Sequence, residues 1–389
     1  MDGRGKYTHV YSKENKYFRP EDVPSRMRAV AVYRDDRRPQ VIEKPDPEPG
    51  PGEVLVRTLR VGVDGTDHEV IEGVHGGFPE GEDHLVLGHE AIGVVEEPNR
   101  TGFEQGDLVV PTVRRPPVGK DGIESNEYFE RGEPDYAPEG KYVERGIVGA
   151  HGFMSEYFTS PAEFLIEVPS ELAELGFLVE PISISEKAFE LAAASRSSFD
   201  WEPESALVLG NGSLGLLTLA MLGLDDRFER TYCLGRRDRP DPTIDIIEEL
   251  GATYVDSRET PVDEVADGHE PIDFVYEATG YAPHAFECIE ALAPNGVGAL
   301  LGVPDDWTFE VDGGRLHREF VLHNKALVGS VNSGFGHFEA AVETLSALPE
   351  WFLDDLLTGV YELDEVERAF DDDDTTIKTA VQLSDYEKR

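Results

Sequence analysis

The run Gly210-Asn211-Gly212-Ser213-Leu214-Gly215 directly follows the apolar Leu207-Val-Leu209 and opens an apolar helix. Glycines so spaced also occur in ordinary turns, but a strand before them and a helix after is the setting that grips a dinucleotide. Gly210 permits the tight turn, Gly212 lets the backbone approach a pyrophosphate, and Gly215 allows close packing of helix on sheet. The helix amino terminus then offers unpaired N–H groups to the anionic bridge. The next strand ends Cys233-Leu-Gly235-Arg236-Arg237-Asp238. Where a carboxylate usually holds the ribose 2′-hydroxyl, this chain has glycine and two arginines. Guanidinium groups grip phosphate through paired hydrogen bonds. The expected cofactor is therefore NADP, with NAD left open as a second acceptor. The competing reading makes Arg236 and Arg237 surface ion-pair partners of Asp238 or Asp241.

A second cluster of chemically capable residues is Leu87-Gly88-His89-Glu90-Ala-Ile-Gly93-Val-Val95, with Val63-Asp64-Gly65-Thr66-Asp67 upstream and Gly106-Asp-Leu-Val-Val-Pro111 downstream. Alone, His89 reads equally as a core or turn histidine and Asp64 as a helix cap. Together, in this order and spacing, the three segments resemble the zinc-dependent medium-chain alcohol dehydrogenase family, over residues 27–389. The resemblance implies a catalytic zinc held by Asp64, His89 and Glu180, with Glu90 beside the metal and able to replace or bridge to a ligand. Position 64 is a cysteine in most of the family. Zinc accepts carboxylate oxygen at about 2.0–2.2 Å, so a histidine with two or three carboxylates still makes a site. A shell without thiolate is expected to bind more weakly and to leave a more Lewis-acidic metal. The segment 114–141 corresponds to a lobe that often carries four cysteines around a structural zinc. Here it has none, so one zinc per subunit and no structural zinc are expected.

Within the family the resemblance narrows to archaeal glucose dehydrogenases. It is carried by Pro111-Thr-Val-Arg-Arg-Pro116, Glu144-Arg-Gly-Ile147, Gly149-Ala-His-Gly-Phe153, Gly176-Phe-Leu-Val-Glu-Pro-Ile182 and Asn324-Lys-Ala-Leu-Val-Gly-Ser-Val-Asn332. It implies that Glu144 and Glu180 contact sugar hydroxyls and that Asn332 lies near both nicotinamide and sugar. Thr279, Gly302 and Val303 are placed along the cofactor, and Thr66 passes a proton toward solvent. Carboxylates and an amide suit a polyol, because an unpaired buried acceptor rejects analogues that lack a hydroxyl. A capping role, or an ion pair with Arg145, is the alternative for Glu144. The implied reaction is oxidation of β-D-glucose to D-glucono-1,5-lactone with hydride transfer to NADP, opening a modified Entner–Doudoroff route. Rival readings are a dehydrogenase of another aldose, polyol or secondary alcohol, a zinc-free quinone reductase, and a non-catalytic dinucleotide sensor.

The elements that must position these residues divide the chain in two. From Met27 to about Val168 the pattern is β-rich, with strands expected at 27–33, 54–61, 93–95 and 108–110. Beyond Ile182 strands alternate with helices, at 206–210, 231–234, 253–255, 274–276, 298–301 and 326–328, which means a parallel sheet. The fold class read here is α/β, with a GroES-like β-rich catalytic domain (27–182 and 323–389) and a doubly wound Rossmann nucleotide-binding domain (183–322). Residues 1–26, with six basic and four acidic side chains, are read as a weakly ordered extension.

Composition bounds the setting. The net charge is −44, from 79 acidic against 35 basic side chains, and the acid is spread along the chain rather than gathered in a tail. At molar salt the Debye length falls to roughly 3 Å, which screens the self-repulsion that such a charge produces. A halophilic cytoplasm is the expected location, with binding of basic partners as the alternative. Nucleic acid is excluded as a partner by charge. No apolar run approaches a membrane span, and two cysteines are too few for a disulfide framework. The resemblance implies a homo-oligomer, dimer or tetramer, joined through the sheet edge of the nucleotide domain.

Overall fold

The computed structural model describes residues 25–119, 122–371, 373 and 375–387. The weak order expected of residues 1–24 lies outside that range, and the first strand is Arg26–Tyr33. That strand pairs with Gln40–Pro45 on one side and His84–Val86 on the other. The β-rich half is organised by the long strand Glu53–Val63, whose alternate residues Val54, Val56 and Val61 are buried. It pairs antiparallel with Glu90–Glu97, Tyr157–Pro161 and Lys378–Gln382. Leu108–Pro111, Leu165–Val168 and Leu357–Glu362 complete this seven-stranded sheet. Register decides what meets at its end. Gly62 stands opposite Glu90 on one flank, and Val63 stands opposite Thr379, next to Lys378, on the other. Residues 54 and 379 parts of the chain are thus joined in one layer although hundreds of residues separate them.

Parallel pairings order the second sheet as Thr253–Asp256, Arg230–Gly235, Ser205–Leu209, Ile272–Glu277, Leu292–Leu300 and Ala326–Gly329. This is the doubly wound strand order, with the ligand crevice at the point where the direction of winding reverses. The central strand Ser205–Leu209 is wholly buried, as parallel strands covered on both faces are. The last strand, Ala326–Gly329, belongs to this sheet, whereas residues 323–389 were assigned to the catalytic domain. We therefore place the second boundary after Gly329 rather than at 323.

The helix Val179–Ser195 joins the two halves. Pro181 is tolerated because it falls in the first turn, where no intrahelical N–H partner is lost. Both faces of this helix meet protein, and it buries Glu180, Ser183, Ser185 and Lys187 among its apolar residues. The helix Ser213–Leu224 is likewise mostly buried, and its cap residue, Gly212, makes no side-chain hydrogen bond. Its first N–H groups therefore have no capping side chain. The lobe expected at 114–141 is built from short pieces: Arg114–Arg115, Glu127–Glu130 and the turn Pro134–Tyr136.

Candidate active site

Asp64 serves three neighbours with its two oxygens. Oδ1 accepts from the Asp67 N–H at 3.1 Å and caps the helix Gly65–Glu72, while Asp67 Oδ2 accepts from the Asp64 N–H at 3.3 Å. Oδ2 of Asp64 lies 3.5 Å from His89 Nε2 and accepts from the Thr66 hydroxyl at 3.2 Å. The cap reading of Asp64 is thus correct, and it leaves the second oxygen free to serve a site. His89 precedes the strand Glu90–Glu97, and its Nδ1 lies 3.9 Å from Asp67 Oδ1. Asp67 Oδ1 also accepts from the Gly88 N–H at 3.2 Å, so Asp67 acts as a brace between the helix and the histidine loop.

Glu90 and Glu180 close the cluster from the other side. Glu90 is 1% exposed and Glu180 6%. A Cβ at Gly62 would collide with Glu90 Oε2, so glycine at that position makes room for the carboxylate. Lys378 donates to Glu90 Oε1 at 2.7 Å and its Nζ lies 2.5 Å from Oε2, aligned as a donor toward Oε1 alone. Asp64, Asp67 and His89 each bring a donor atom within 4.8 Å of the others, as do His89, Glu90 and Glu180.

Charge is unbalanced in this cluster. Burial opposes the charged forms of all these groups. It pushes Asp67 up to about 7 and Glu180 up to about 8, and it raises Glu90 despite Lys378 nearby. For His89 burial works downward, but the Asp64 carboxylate outweighs it and raises the imidazole well above its usual value. Burial likewise raises Asp64, but His89 prevails and holds it below the carboxylate range. Four carboxylates thus share one lysine and one imidazole, and His89 Nδ1 has no hydrogen-bond partner, while Glu90 Oε2 meets the Lys378 ammonium alone. Carboxyls that burial drives to hold protons, beside an imidazole with an unpartnered nitrogen, form an oxygen and nitrogen donor set that fits a divalent cation such as zinc, which would displace those protons.

The dinucleotide turn has the geometry its sequence implies. Gly210 has φ +109°, open to glycine and strained for other residues, and a Cβ on Gly215 would collide with the Gly210 carbonyl. A cavity of about 850 Å³ is lined by Gly210, Asn211, Arg236, Arg237, Arg258 and Thr279, among others. Arg237 also lies 3.9 Å from Asp241, a long contact that realises part of the ion-pair reading. Asp238 turns away from both expected arginines and pairs with Arg258 at 2.7 Å. A second cavity of about 300 Å³ is lined by Asp64 and His68 from one half and Gly212, Ser213 and Arg237 from the other. Leu214, behind them, packs on the core.

The remaining expected residues are more scattered. Thr279 donates to Glu277 Oε1 at 2.5 Å and touches His284 Nδ1 at 2.9 Å. Gly302 packs against Gly280, and Val303 is exposed; neither lines the two cavities. Glu144 is buried and accepts from Arg114 Nε at 2.9 Å. Arg145, the partner in the alternative reading of Glu144, instead donates to the carbonyls of His151 and Thr159. Asn332 sits on the turn after the last sheet strand with φ +56°. Lys378, Asp67 and Arg258 were not anticipated. Asp67 had a sequence signal, as a carboxylate three residues after a capping aspartate; the other two had none.

A β-rich GroES-like half, a doubly wound half and a buried imidazole–carboxylate cluster facing the glycine turn define a medium-chain dehydrogenase. The family described as Alcohol dehydrogenase GroES-like domain matches residues 50–170, and that described as Glucose dehydrogenase C-terminus matches residues 173–383. The chain belongs to the glucose dehydrogenase family. Glucose 1-dehydrogenase of Haloferax mediterranei is 71% identical over 359 residues, covering 92% of this chain and 99% of that protein. Glucose 1-dehydrogenase of Haloarcula marismortui is 65% identical over 357 residues, with the same coverage. A structure of Haloferax mediterranei glucose dehydrogenase in complex with NADP, Zn and gluconolactone matches with a TM-score of 0.90 at 71% identity. That match covers 92% of this chain and all of that one (100%).

Proposed function

We propose that this protein is a halophilic glucose 1-dehydrogenase that oxidises β-D-glucose at C1 to D-glucono-1,5-lactone and reduces NADP. One observation carries the reading: Asp64 of the ion cluster and Gly212 and Ser213 of the dinucleotide turn line the same cavity. A sugar bound at the cluster therefore shares one cleft with a dinucleotide whose pyrophosphate is held over the turn, and hydride transfer requires that the nicotinamide reach the sugar within it. Among solved structures, the Haloferax relative supports the reading with NADP, Zn and gluconolactone together.

In this reading Asp64, His89, Glu90 and Glu180 hold one zinc, with no structural zinc in the lobe. When bound, zinc supplies the Lewis acidity that lowers the pKa of a sugar hydroxyl, and NADP supplies the hydride acceptor. The chain's own groups do the rest. Thr66, half-buried, donates its hydroxyl hydrogen to Asp64 Oδ2, so its oxygen is free to accept from a sugar hydroxyl, and a proton it took up would leave along that bond to the carboxylate or after the hydroxyl turned toward solvent. Lys378 holds Glu90 in place and limits how far it can swing. Glu144, Glu180 and Asn332 orient the sugar hydroxyls. Arg236 and Arg237 hold the 2′-phosphate that distinguishes NADP from NAD, with Gly210 to Gly215 at the pyrophosphate and Thr279, Gly302, Val303 and Asn332 toward the nicotinamide.

The same proposal assigns the enzyme to the opening of a modified Entner–Doudoroff route in a halophilic cytoplasm. Among the described residues no helix is long and apolar enough to cross a membrane, and both cysteines are buried and unpaired. Assembly as a dimer or tetramer belongs to the same reading. Its support is the open edge of strand Ala326–Gly329, flanked by exposed Val321, Leu322 and Val331. An aldose panel with both nicotinamide cofactors in molar KCl, with and without chelator, tests the whole. Glucose with NADP should give the highest kcat/KM, lost on chelation. Absence of turnover on any aldose would leave a dinucleotide-binding protein instead.

A further inference from the structure

Asp135 lies at the junction of three segments that the proposed function needs to keep in register. Its main-chain carbonyl accepts from Arg114 Nη1 at 2.8 Å. The same guanidinium donates through Nε to Glu144 Oε1 at 2.9 Å and lies 3.7 Å from the centre of the Tyr142 ring. The Asp135 carboxylate pairs through Oδ2 with Lys187 Nζ at 2.8 Å, and both side chains are at most 3% exposed. Lys187 in turn donates to the carbonyl of Val331 at 3.0 Å, the residue before Asn332. One turn earlier on the same helix, Ser183 hydrogen-bonds Ser333 at 2.6 Å.

A buried lysine is costly unless it is paired and hydrogen-bonded, and this one is ion-paired to Asp135 of the lobe and hydrogen-bonded to the Asn332 turn. That turn needs an anchor, because Asn332 occupies the left-handed region at φ +56°. The lobe contains no cysteine, so its cohesion comes from such groups. Without the Asp135–Lys187 pair, the strand Val143–Arg145 that carries Glu144 and the turn that carries Asn332 lose their shared anchor. They otherwise belong to different sheets.

We propose that Asp135 and Lys187 are positioning residues for sugar recognition, fixing Glu144 relative to Asn332 through one buried ion pair. The proposal rests on the reading that Glu144 and Asn332 contact the sugar.

Steady-state kinetics of Lys187→Met, Lys187→Arg, Asp135→Asn and Glu144→Gln, as zinc-loaded protein in molar KCl, test it. Lys187→Met and Asp135→Asn should each raise KM for glucose about tenfold or more while KM for NADP stays within about twofold, a misplacement effect confined to one substrate. Lys187→Arg, which keeps donor and charge, should recover most of the loss. A residue that only stabilises the fold would lower the melting temperature and leave KM for glucose unmoved, which would overturn the proposal. Should Lys187→Met fail to fold, Lys187→Gln with Asp135→Asn keeps polar partners on both sides and carries the same expectation. Glu144→Gln separates the two claims. If it raises KM for glucose and the Lys187 and Asp135 variants do not, the positioning role falls alone. If it leaves KM for glucose unchanged, the sugar-contact reading of Glu144 falls first.

Discussion

Lys378 Nζ lies 2.7 Å from Glu90 Oε1, and the two side chains, 288 residues apart in the chain, are each 1% exposed. The strand Glu53–Val63 brings them together by pairing with both of their strands. The pair sits beside three further carboxylates, so Lys378 is the fixed positive charge of the cluster. Burial works against its charge, but Glu90 outweighs that and raises its pKa.

Removing that charge exposes the balance. Lys378→Met leaves Glu90 buried without its cation, forced either to stay charged or to take up a proton, and breaking such a buried pair costs up to about 3–5 kcal/mol. Denaturation in molar KCl should show this loss for the single variant. Lys378→Met with Glu90→Gln should recover most of it. If the double variant is as unstable as the single one, the two groups are not energetically coupled.

Asp64 separates capping from charge. Asp64→Asn keeps an oxygen acceptor for the Asp67 N–H, so the metal-free protein should change in stability by less than about 1 kcal/mol. Zinc retention should fall by about tenfold, because a carboxylate donor has become an amide. Asp64→Ala should lose both cap and metal. Equal zinc content in all three proteins after dialysis would remove Asp64 from the ligand set.

The arginines at the end of the second nucleotide strand set the cofactor preference. Charge-assisted hydrogen bonds contribute about 1.5–3 kcal/mol each. Arg236→Ala with Arg237→Ala should therefore raise KM for NADP by at least about tenfold while NAD is little affected. Equal changes for the two cofactors would discard the 2′-phosphate assignment.

The pH dependence of the metal-free protein has a defined sign. Asp67 is pushed up to about 7 and Glu180 up to about 8 by burial, so between about 4.5 and 8 the native state holds protons that the unfolded chain has released. These groups make stability fall as pH rises through that window, but burial holds His151 and His284 down to about 4 and opposes the fall below about 6.5, so the net fall is expected between about 6.5 and 8. His89, raised by Asp64, acts in the same direction, since its native proton is retained above its unfolded pKa. Zinc should reverse the trend and displace protons, which titration calorimetry in buffers of different ionisation enthalpy measures. Flat stability between about pH 6.5 and 8 without metal would contradict the charge balance described above.

Residues that announce themselves locally were legible from sequence. The glycine turn has its strand and helix on either side, and the segments around His89 and Asp64 carry family spacing. His89 is shared by two donor groups, one with Asp64 and Asp67 and the other with Glu90 and Glu180, and the second pairing joins parts of the chain that no local motif links. What could not be read arises from tertiary pairing. Lys378 meets Glu90 through sheet register, and Glu144 meets Arg114 rather than its neighbour Arg145 because the lobe folds back. The helix Val179–Ser195 escaped because it is buried on more than one face and so shows no clean amphipathic period. The strand Gln40–Pro45, charged and bounded by prolines, reads as a loop until its pairing with Arg26–Tyr33 is seen.

Anomalous diffraction at the zinc edge, from crystals of the NADP complex grown with added ZnCl₂, puts the sulfur-free centre to its most direct trial. The account predicts one peak per chain, bounded by His89 and the carboxylates of Asp64 and Glu180, with Glu90 adjacent. Density elsewhere in the chain, or no peak among those four side chains, would contradict it.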